Sequence, residues 1–301
     1  MNVLIAGGSG FLGSALKDLL LQGGHDVLIL TRQASQGANE LHWDGKTSQG
    51  WAHIVNEMVA IVHLTGYGLE HWPWTERQKQ RFIDSRVLPG LALASAVRSA
   101  AHRPSVFLQT SGINRYGLSR EGVADESTPP AEDFLAQLTV EWEDATKSVE
   151  ELGVRRVITR NAVVLGRSGG LFSLMTLPAR LFVGGKFGDG KQAMPWVHLV
   201  DQVHAVRFLL ENENARGPYN LIPPIPTSNA DFMRAIAQAL HRPYWFHVPT
   251  VLLRLVLGEM SVLLAEGRYA QPKRLIELGF RFQFGKLEAA MEDLLSRKPT
   301  L

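Results

Sequence analysis

Three features of this 301-residue sequence predict an α/β protein built on a doubly wound parallel sheet. Short β-branched runs alternate with longer segments whose apolar residues recur every three or four positions. A glycine-rich turn joins the first run to the first such segment. The hydrophobic share, 45%, is enough to close a sizeable core. The β-branched runs fall at residues 3–6, 26–31, 59–65, 105–110 and 154–160. Between the first two, Phe11, Leu12, Ala15, Leu16, Leu19 and Leu20 have helical spacing. Strands separated by helices of this length need right-handed crossovers, which make them parallel and put helices on both faces. Residues 1–165 therefore read as a dinucleotide-binding domain.

Past residue 166 the texture changes. Gly169, Gly170, Gly184, Gly185, Gly188 and Gly190 punctuate one loop-rich stretch, and Pro223, Pro224 and Pro226 mark another. Helical patterns return at 200–210, 229–240 and 287–295. We read residues 166–301 as a smaller substrate lobe, with 199–222 returning to the sheet as one more helix and strand. The glycines at 184–190 are expected to shape the facing side of a cleft.

Composition narrows the function classes. Thirty-one basic against 29 acidic residues leave a net charge of +2, too small and too evenly spread to suggest a nucleic-acid or membrane-surface protein. Without cysteine there is no disulfide framework, thiol catalysis or thiolate metal site, and a reducing, cytoplasmic location is expected. The amino terminus lacks the basic flank and apolar length of a signal peptide. The longest apolar stretch, 251–265, is cut by Arg254 and Glu259 and is too short to span a bilayer. No ligand cluster with metal spacing occurs, so no metal is expected.

The turn Gly7-Gly8-Ser9-Gly10-Phe11-Leu12-Gly13 carries GxxGxxG between the first strand and the first helix. Gly7 permits the tight turn, Gly10 lets amides approach a pyrophosphate, and Gly13 lets helix and strand pack closely. Ser9, Phe11 and Leu12 complete the turn, and the phosphates would sit at the helix amino end. An NAD site usually places an acid about 20 residues on, at the second strand's tip, for the ribose hydroxyls. Here that tip is Thr31-Arg32, and an arginine can form a charge-assisted fork with a 2′-phosphate. NADP(H) is therefore expected in preference to NAD(H). Asp44 reads equally as a cap near the adenine or an ordinary turn aspartate.

These motifs resemble the extended branch of the short-chain dehydrogenase/reductase superfamily, which has a Rossmann-type sheet. Ile61-Val62-His63-Leu64-Thr65-Gly66, Thr110-Ser111-Gly112 and Arg160-Asn161-Ala162-Val163-Val164-Leu165-Gly166 fit that branch. The chain is similar in particular to an atypical subgroup called epimerase family proteins. That resemblance rests on Trp74-Thr75, Ser85-Arg86-Val87, Gly188-x-Gly190-x-Gln192, Trp196-Val197-His198-x-x-Asp201 and Gly217-Pro218-Tyr219-Asn220. A carboxy-terminal block at about 245–296 adds Gly258-Glu259, Pro272-Lys273 and Gly279-Phe280-x-Phe282. The resemblance implies that Leu64, Thr65, Gly66 and Arg160 also line the cofactor site.

The superfamily's catalytic device is a tyrosine and a lysine four apart on one helix, with a serine from the fifth strand. Its tyrosine needs a pKa lowered from about 10 to exchange protons at neutral pH. Here Asp133 and Gln137 stand near the expected pair, so the pair is missing. Tyr269 and Lys273 match the spacing, but Pro272 favours a helix starting there and leaves Tyr269 outside it. Tyr116 and Arg120 share the spacing, with Gly117 breaking register. Tyr116 is implied at the pocket edge, touching substrate or simply packing. Ser111 is the best-placed side chain to touch a substrate carbonyl or hydroxyl, although a Thr-Ser-Gly turn needs no ligand. Asp133 reads as a replacement base or a helix-start carboxylate. Asp201 reads as a helix cap with His198 beside it, or as part of a relay. Trp72-Pro73-Trp74 is a candidate pocket wall. Two functions follow: an NADP(H)-dependent oxidoreductase acting on a small hydroxyl or carbonyl compound, and a non-catalytic NADP(H)-binding regulator or redox sensor.

Overall fold

The β-branched runs become neighbouring strands of one parallel sheet in the computed structural model, which describes residues 1–33, 37, 39–167 and 169–295. In chain order the strands are β1 (Asn2–Ala6), β2 (Asp26–Thr31), β3 (Glu40–His42), β4 (Ala60–His63), β5 (Val106–Gly112), β6 (Val123–Ala124), β7 (Arg155–Asn161), β8 (Val163–Leu165), β9 (Gly185–Phe187), β10 (Trp196–His198), β11 (Gly217–Leu221), β12 (Phe246–Val248) and β13 (Tyr269–Ala270). The helices are α1 (Phe11–Gln22), α2 (Glu76–Ser99), α3 (Phe134–Asp144), α4 (Ser148–Glu151), α5 (Phe172–Arg180), α6 (Leu199–Glu211), α7 (Asn229–Ala239), α8 (Thr250–Leu257), α9 (Val262–Ala265), α10 (Lys273–Glu277) and α11 (Leu287–Leu295).

The seven-stranded sheet runs β11-β7-β5-β4-β1-β2-β3. Every pair in it is parallel. Alternate residues of β1 face opposite sides, so Val3 and Ile5 pack with α1 and α6 while Leu4 and Ala6 pack with α2. Both faces are covered, which is why the strands read as nearly continuous apolar runs. α6 and β11 supply the last crossover, with Gly217 to Leu221 registered on Val157 to Asn161.

A second core lies in the C-terminal lobe, where Met175 of α5, Trp196 of β10, Phe232 of α7 and Met291 of α11 pack together. Three two-stranded pairs, β8 with β10, β9 with β12 and β6 with β13, stitch the lobe together and to the loop after β5. At the junction, Ile113, Tyr116, Val197 and Ala270 form a small apolar cluster. The end of the lobe beyond residue 295 lies outside the described residues. Among the described residues, no helix is long and apolar enough to cross a membrane.

Two local expectations are corrected. Ser111 and Gly112 do not form a turn after the fifth strand. They continue it, registered on Arg160 and Asn161 of β7, whose ladder satisfies their backbone groups. The cap of α6 is His198, which accepts from the Val200 amide at 3.2 Å, and not Asp201. Asp201 instead accepts from the amides of Gln283 and Phe284 at 2.7 and 2.8 Å. A carboxylate in the first turn of the helix can reach a neighbouring segment, and here it holds residues 283 and 284.

Candidate functional site

The order of the sheet reverses between β1 and β4, and in such sheets the crevice at the strands' carboxyl ends is where ligands bind. The glycine turn leaves β1 on one side of that crevice and Leu64-Thr65-Gly66 leaves β4 on the other. They nearly touch: a side chain at Gly7, where φ is +89°, would meet the Leu64 carbonyl carbon at 3.0 Å. Gly13 is tighter, since a Cβ there would lie 2.2 Å from the Gly7 carbonyl oxygen. Gly10 caps α1 with no side-chain bond, and the first turn carries no acid. Ser9 and Gly10 are exposed, so the amino end of the helix is open to an anion. The Phe11 ring turns away into a cup of glycines, where side chains at Gly166 and Gly169 would meet it at 2.6 and 2.8 Å. Leu12 packs partly buried against the sheet core.

At the tip of β2, Thr31 is buried and its hydroxyl accepts from the Gln33 amide at 3.2 Å. Arg32 is exposed, with its stem passing over Gly45. Asp44 accepts from Lys46, Thr47 and the Thr47 hydroxyl, so it is a turn aspartate. These residues fit a dinucleotide: a cradle that no side chain could share, an uncapped helix end and a cation at the tip of β2. Thr65 is oriented by His63, whose Nε2 lies 2.7 Å from its hydroxyl. Burial, then the charge of Arg86, pull the His63 imidazole down to about 3, so it is neutral.

The residues expected to do acid–base work are committed elsewhere. Ser111 is buried and donates its hydroxyl to Glu143 at 2.8 Å. Arg160, expected at the cofactor, grips both Glu143 oxygens, at 2.9 and 3.0 Å. It also donates to the Tyr116 hydroxyl and the Glu126 carbonyl. Only 4% of it is exposed, and its guanidinium belongs to an internal ion pair. Tyr116 is 1% exposed, and its hydroxyl donates to Asn220 Oδ1 at 2.6 Å. Burial raises its pKa against the pull of Arg160, the opposite of what proton exchange requires. Burial lowers the Arg160 pKa, but Glu143 and then Tyr116 more than restore it. Tyr116 is therefore a packing residue. It is not among the residues that line the cavity described below, although its neighbours Asn114 and Gly117 are.

The other candidates resolve as simply. Asp133 caps α3, accepting from Leu135 and Ala136, and Gln137 donates to the Glu132 carbonyl. Tyr269 lies in β13 with its hydroxyl on the Lys191 carbonyl, while Lys273 begins α10 beside Asp125. Arg120 pairs with Asp189 at 2.7 Å. Gly184 and Gly185 serve β9–β12 contact, since a Cβ at Gly185 would overlap the Phe246 carbonyl oxygen. Trp72 donates to the Leu257 carbonyl and Trp74 to that of Leu69. Among the described residues no group of three or more metal-ligating side chains gathers.

A cavity of about 330 Å³ lies where the two parts of the chain meet. Leu69, Asn114, Leu135 and Leu118 line it from the dinucleotide-binding part, and Met175, Phe187 and Met194 from the lobe. Leu257, Met260 and Leu263 of the carboxy-terminal block close it. From α3 it is Leu135 that reaches the cavity, whereas Asp133 and Gln137, near the expected pair, do not line it. Sequence reasoning missed Asn114, the apolar lining and Glu143. Glu143 did leave a signal, because it interrupts the buried α3 stripe of Leu135, Leu138, Thr139 and Trp142. A carboxylate in such a stripe must have a partner.

Comparison with known proteins fits this architecture. Residues 3–221 match the profile of the NAD dependent epimerase/dehydratase family, and residues 248–294 match a domain of unknown function, DUF1731. The epimerase family protein YfhF of Bacillus subtilis strain 168 is 33% identical, with both chains covered in full. The mouse epimerase family protein SDR39U1 is 33% identical over 98% of this chain and 100% of its own. The crystal structure of human SDR39U1 (isoform 2) with NADPH superimposes with a TM-score of 0.91 at 30% identity, covering 99% of this chain and 100% of that one. A Thermus thermophilus UDP-glucose 4-epimerase complex with NAD shares the fold, with a TM-score of 0.77 at 19% identity, covering 98% of both chains.

Proposed function

Because the chain belongs to the NAD dependent epimerase/dehydratase family, we propose that it is a cytoplasmic NADP(H)-dependent oxidoreductase acting on a small hydroxyl or carbonyl compound held in the cavity. The observation that carries this reading is the pairing of the glycine cradle with an exposed arginine, and no acid, at the β2 tip. In it the amides of residues 9–13 hold the pyrophosphate, Arg32 holds the 2′-phosphate, and Leu64 to Gly66 line the opposite wall. The human relative's structure with NADPH supports the same choice of cofactor. Bound NADPH would supply a hydride. With the Tyr–Lys pair absent, we assign the accompanying proton to solvent. The partner is a small molecule, since a net charge of +2 argues against a polyanion.

The test is a titration of NADPH, NADP, NADH and NAD with wild type and Arg32→Ala. Losing a charge-assisted contact should weaken the phosphorylated cofactors about 10- to 100-fold and leave the others unchanged. Equal affinity of wild type for both kinds would overturn the cofactor assignment. One observation favours a second reading, a non-catalytic sensor of the NADP/NADPH ratio: Ser111 is taken up by a buried ion pair instead of facing a substrate. NADPH consumption with any carbonyl compound, abolished by substituting cavity residues, would eliminate that reading.

A further inference from the structure

The lining of the cavity limits what it can hold. Its walls are overwhelmingly apolar, and its volume lies at the small end of the ~300–1,000 Å³ range of small-molecule pockets. The charged residues around it are two carboxylates, Glu70 and Glu266, against one cation, Arg268. Arg268 donates through one terminal nitrogen to the Tyr116 carbonyl at 3.3 Å, while its buried Nε has no partner. Arg120, nearby, is paired with Asp189 and faces Glu266 at 3.9 Å. A nucleotide sugar would bring a diphosphate to a lining where two carboxylates outnumber one arginine, so its desolvation there would be poorly compensated.

Among the uncharged side chains of the lining, the polar one is Asn114. It lines the cavity directly after β5, and among the described residues its side-chain amide makes no hydrogen bond within the protein. An amide offers a donor pair and an acceptor, so it suits either a carbonyl or a hydroxyl oxygen. The solvent side is apolar as well: Leu174 lines the cavity while 58% exposed. We infer that the cavity takes an uncharged, apolar small molecule bearing one carbonyl or hydroxyl oxygen, with that oxygen on Asn114. This assignment of substrate class rests on the oxidoreductase reading above. It differs from the nucleotide-sugar chemistry of solved structures sharing the fold.

The experiment titrates a ketone series, 2-hexanone to 2-decanone, and separately UDP-glucose, into the wild-type protein by calorimetry, with and without NADPH. Affinity for the ketones should rise about fourfold per added methylene, as expected when each CH₂ leaves water, until the cavity is full. UDP-glucose should not compete. Asn114→Ala should weaken the ketones about 2- to 10-fold without changing NADPH affinity. Leu263→Asp, which puts a charge against the lining, should abolish ketone binding while NADPH binding persists. Should that variant fail to fold, the wild-type series still decides. Competition by UDP-glucose, an affinity independent of chain length, or no ketone binding at all would overturn the inference. Because NADPH affinity is measured on the same samples, failure of the cofactor reading is seen separately.

Discussion

The Glu143 carboxylate is held by Ser111 and by two nitrogens of Arg160, with an Arg115 nitrogen 3.5 Å from it. Ser111→Ala removes one donor from a buried anion, so stability should fall by about 1–3 kcal/mol in urea unfolding. NADPH affinity should be unchanged. A large loss of turnover at unchanged stability would instead return Ser111 to a substrate contact. Glu143→Gln should cost more, roughly 3–5 kcal/mol, because it leaves the Arg160 charge buried without its partner. The motif around residue 111 was legible in the sequence, but its employment was not. Ser111 and Glu143 lie on different elements, and only the packing of α3 against β5 and β7 brings the hydroxyl, carboxylate and guanidinium together. His63 gives a pH test. Its pKa falls from 6.5 to about 3 on folding, through burial and then Arg86. Between those values the unfolded chain binds a proton that the folded chain refuses, so stability falls as pH drops below 6.5, by up to ~1.4 kcal/mol per unit. His198 acts in the same sense through its burial, whereas burial raises Asp201 and Glu126, which act in the opposite one. The contrast between wild type and His63→Gln isolates one site: the wild-type Tm should fall more steeply on acidification. Parallel curves would show that His63 is not the group responsible.

Among the elements, the first strand, glycine turn and helix were the most legible. Their geometry is dictated locally by glycines at positions where backbone meets backbone. Gly13→Ala tests that logic. An added methyl 2.2 Å from the Gly7 carbonyl oxygen and 2.6 Å from the Gly8 Cα has no flexible neighbour to displace. The turn must open, so NADPH affinity should drop by more than tenfold in fluorescence titration while circular dichroism still shows a folded protein. Wild-type affinity in this variant would mean that the cradle is not where the pyrophosphate binds. The short pairs β6–β13 and β9–β12 were not legible. Each joins two- or three-residue segments far apart in sequence, and so few residues carry no periodicity. For the same reason the cavity lining escaped notice, since Leu135, Met175 and Leu263 share a surface only once the lobe is docked.

The whole molecule depends on how the carboxy-terminal block is attached, because that block closes one wall of the cavity. Several contacts fasten it to the sheet. The Asp201 carboxylate takes the amides of Gln283 and Phe284, and the Phe284 ring stacks on His198 at 3.9 Å. Arg274 donates to the carbonyls of Pro218 and Arg216 at the edge strand β11, both at 2.7 Å. Glu126 accepts from the Asn220 and Arg274 amides together. Asp201→Ala leaves two amides without their charged acceptor and should cost about 1.5–3 kcal/mol. The loss should be local: in hydrogen exchange, protection should fall across residues 273–295 while the central strands keep theirs. Ketone affinity should fall with it, since Leu257, Met260 and Leu263 precede the loosened segment and form the cavity wall. NADPH affinity should hold, because the glycine turn and Arg32 are set by β1, α1 and β2, and the Asp201 carboxylate bonds none of them. If protection is lost throughout the sheet at once, the block and the sheet form a single cooperative unit, and its docking cannot be varied independently of the cofactor site.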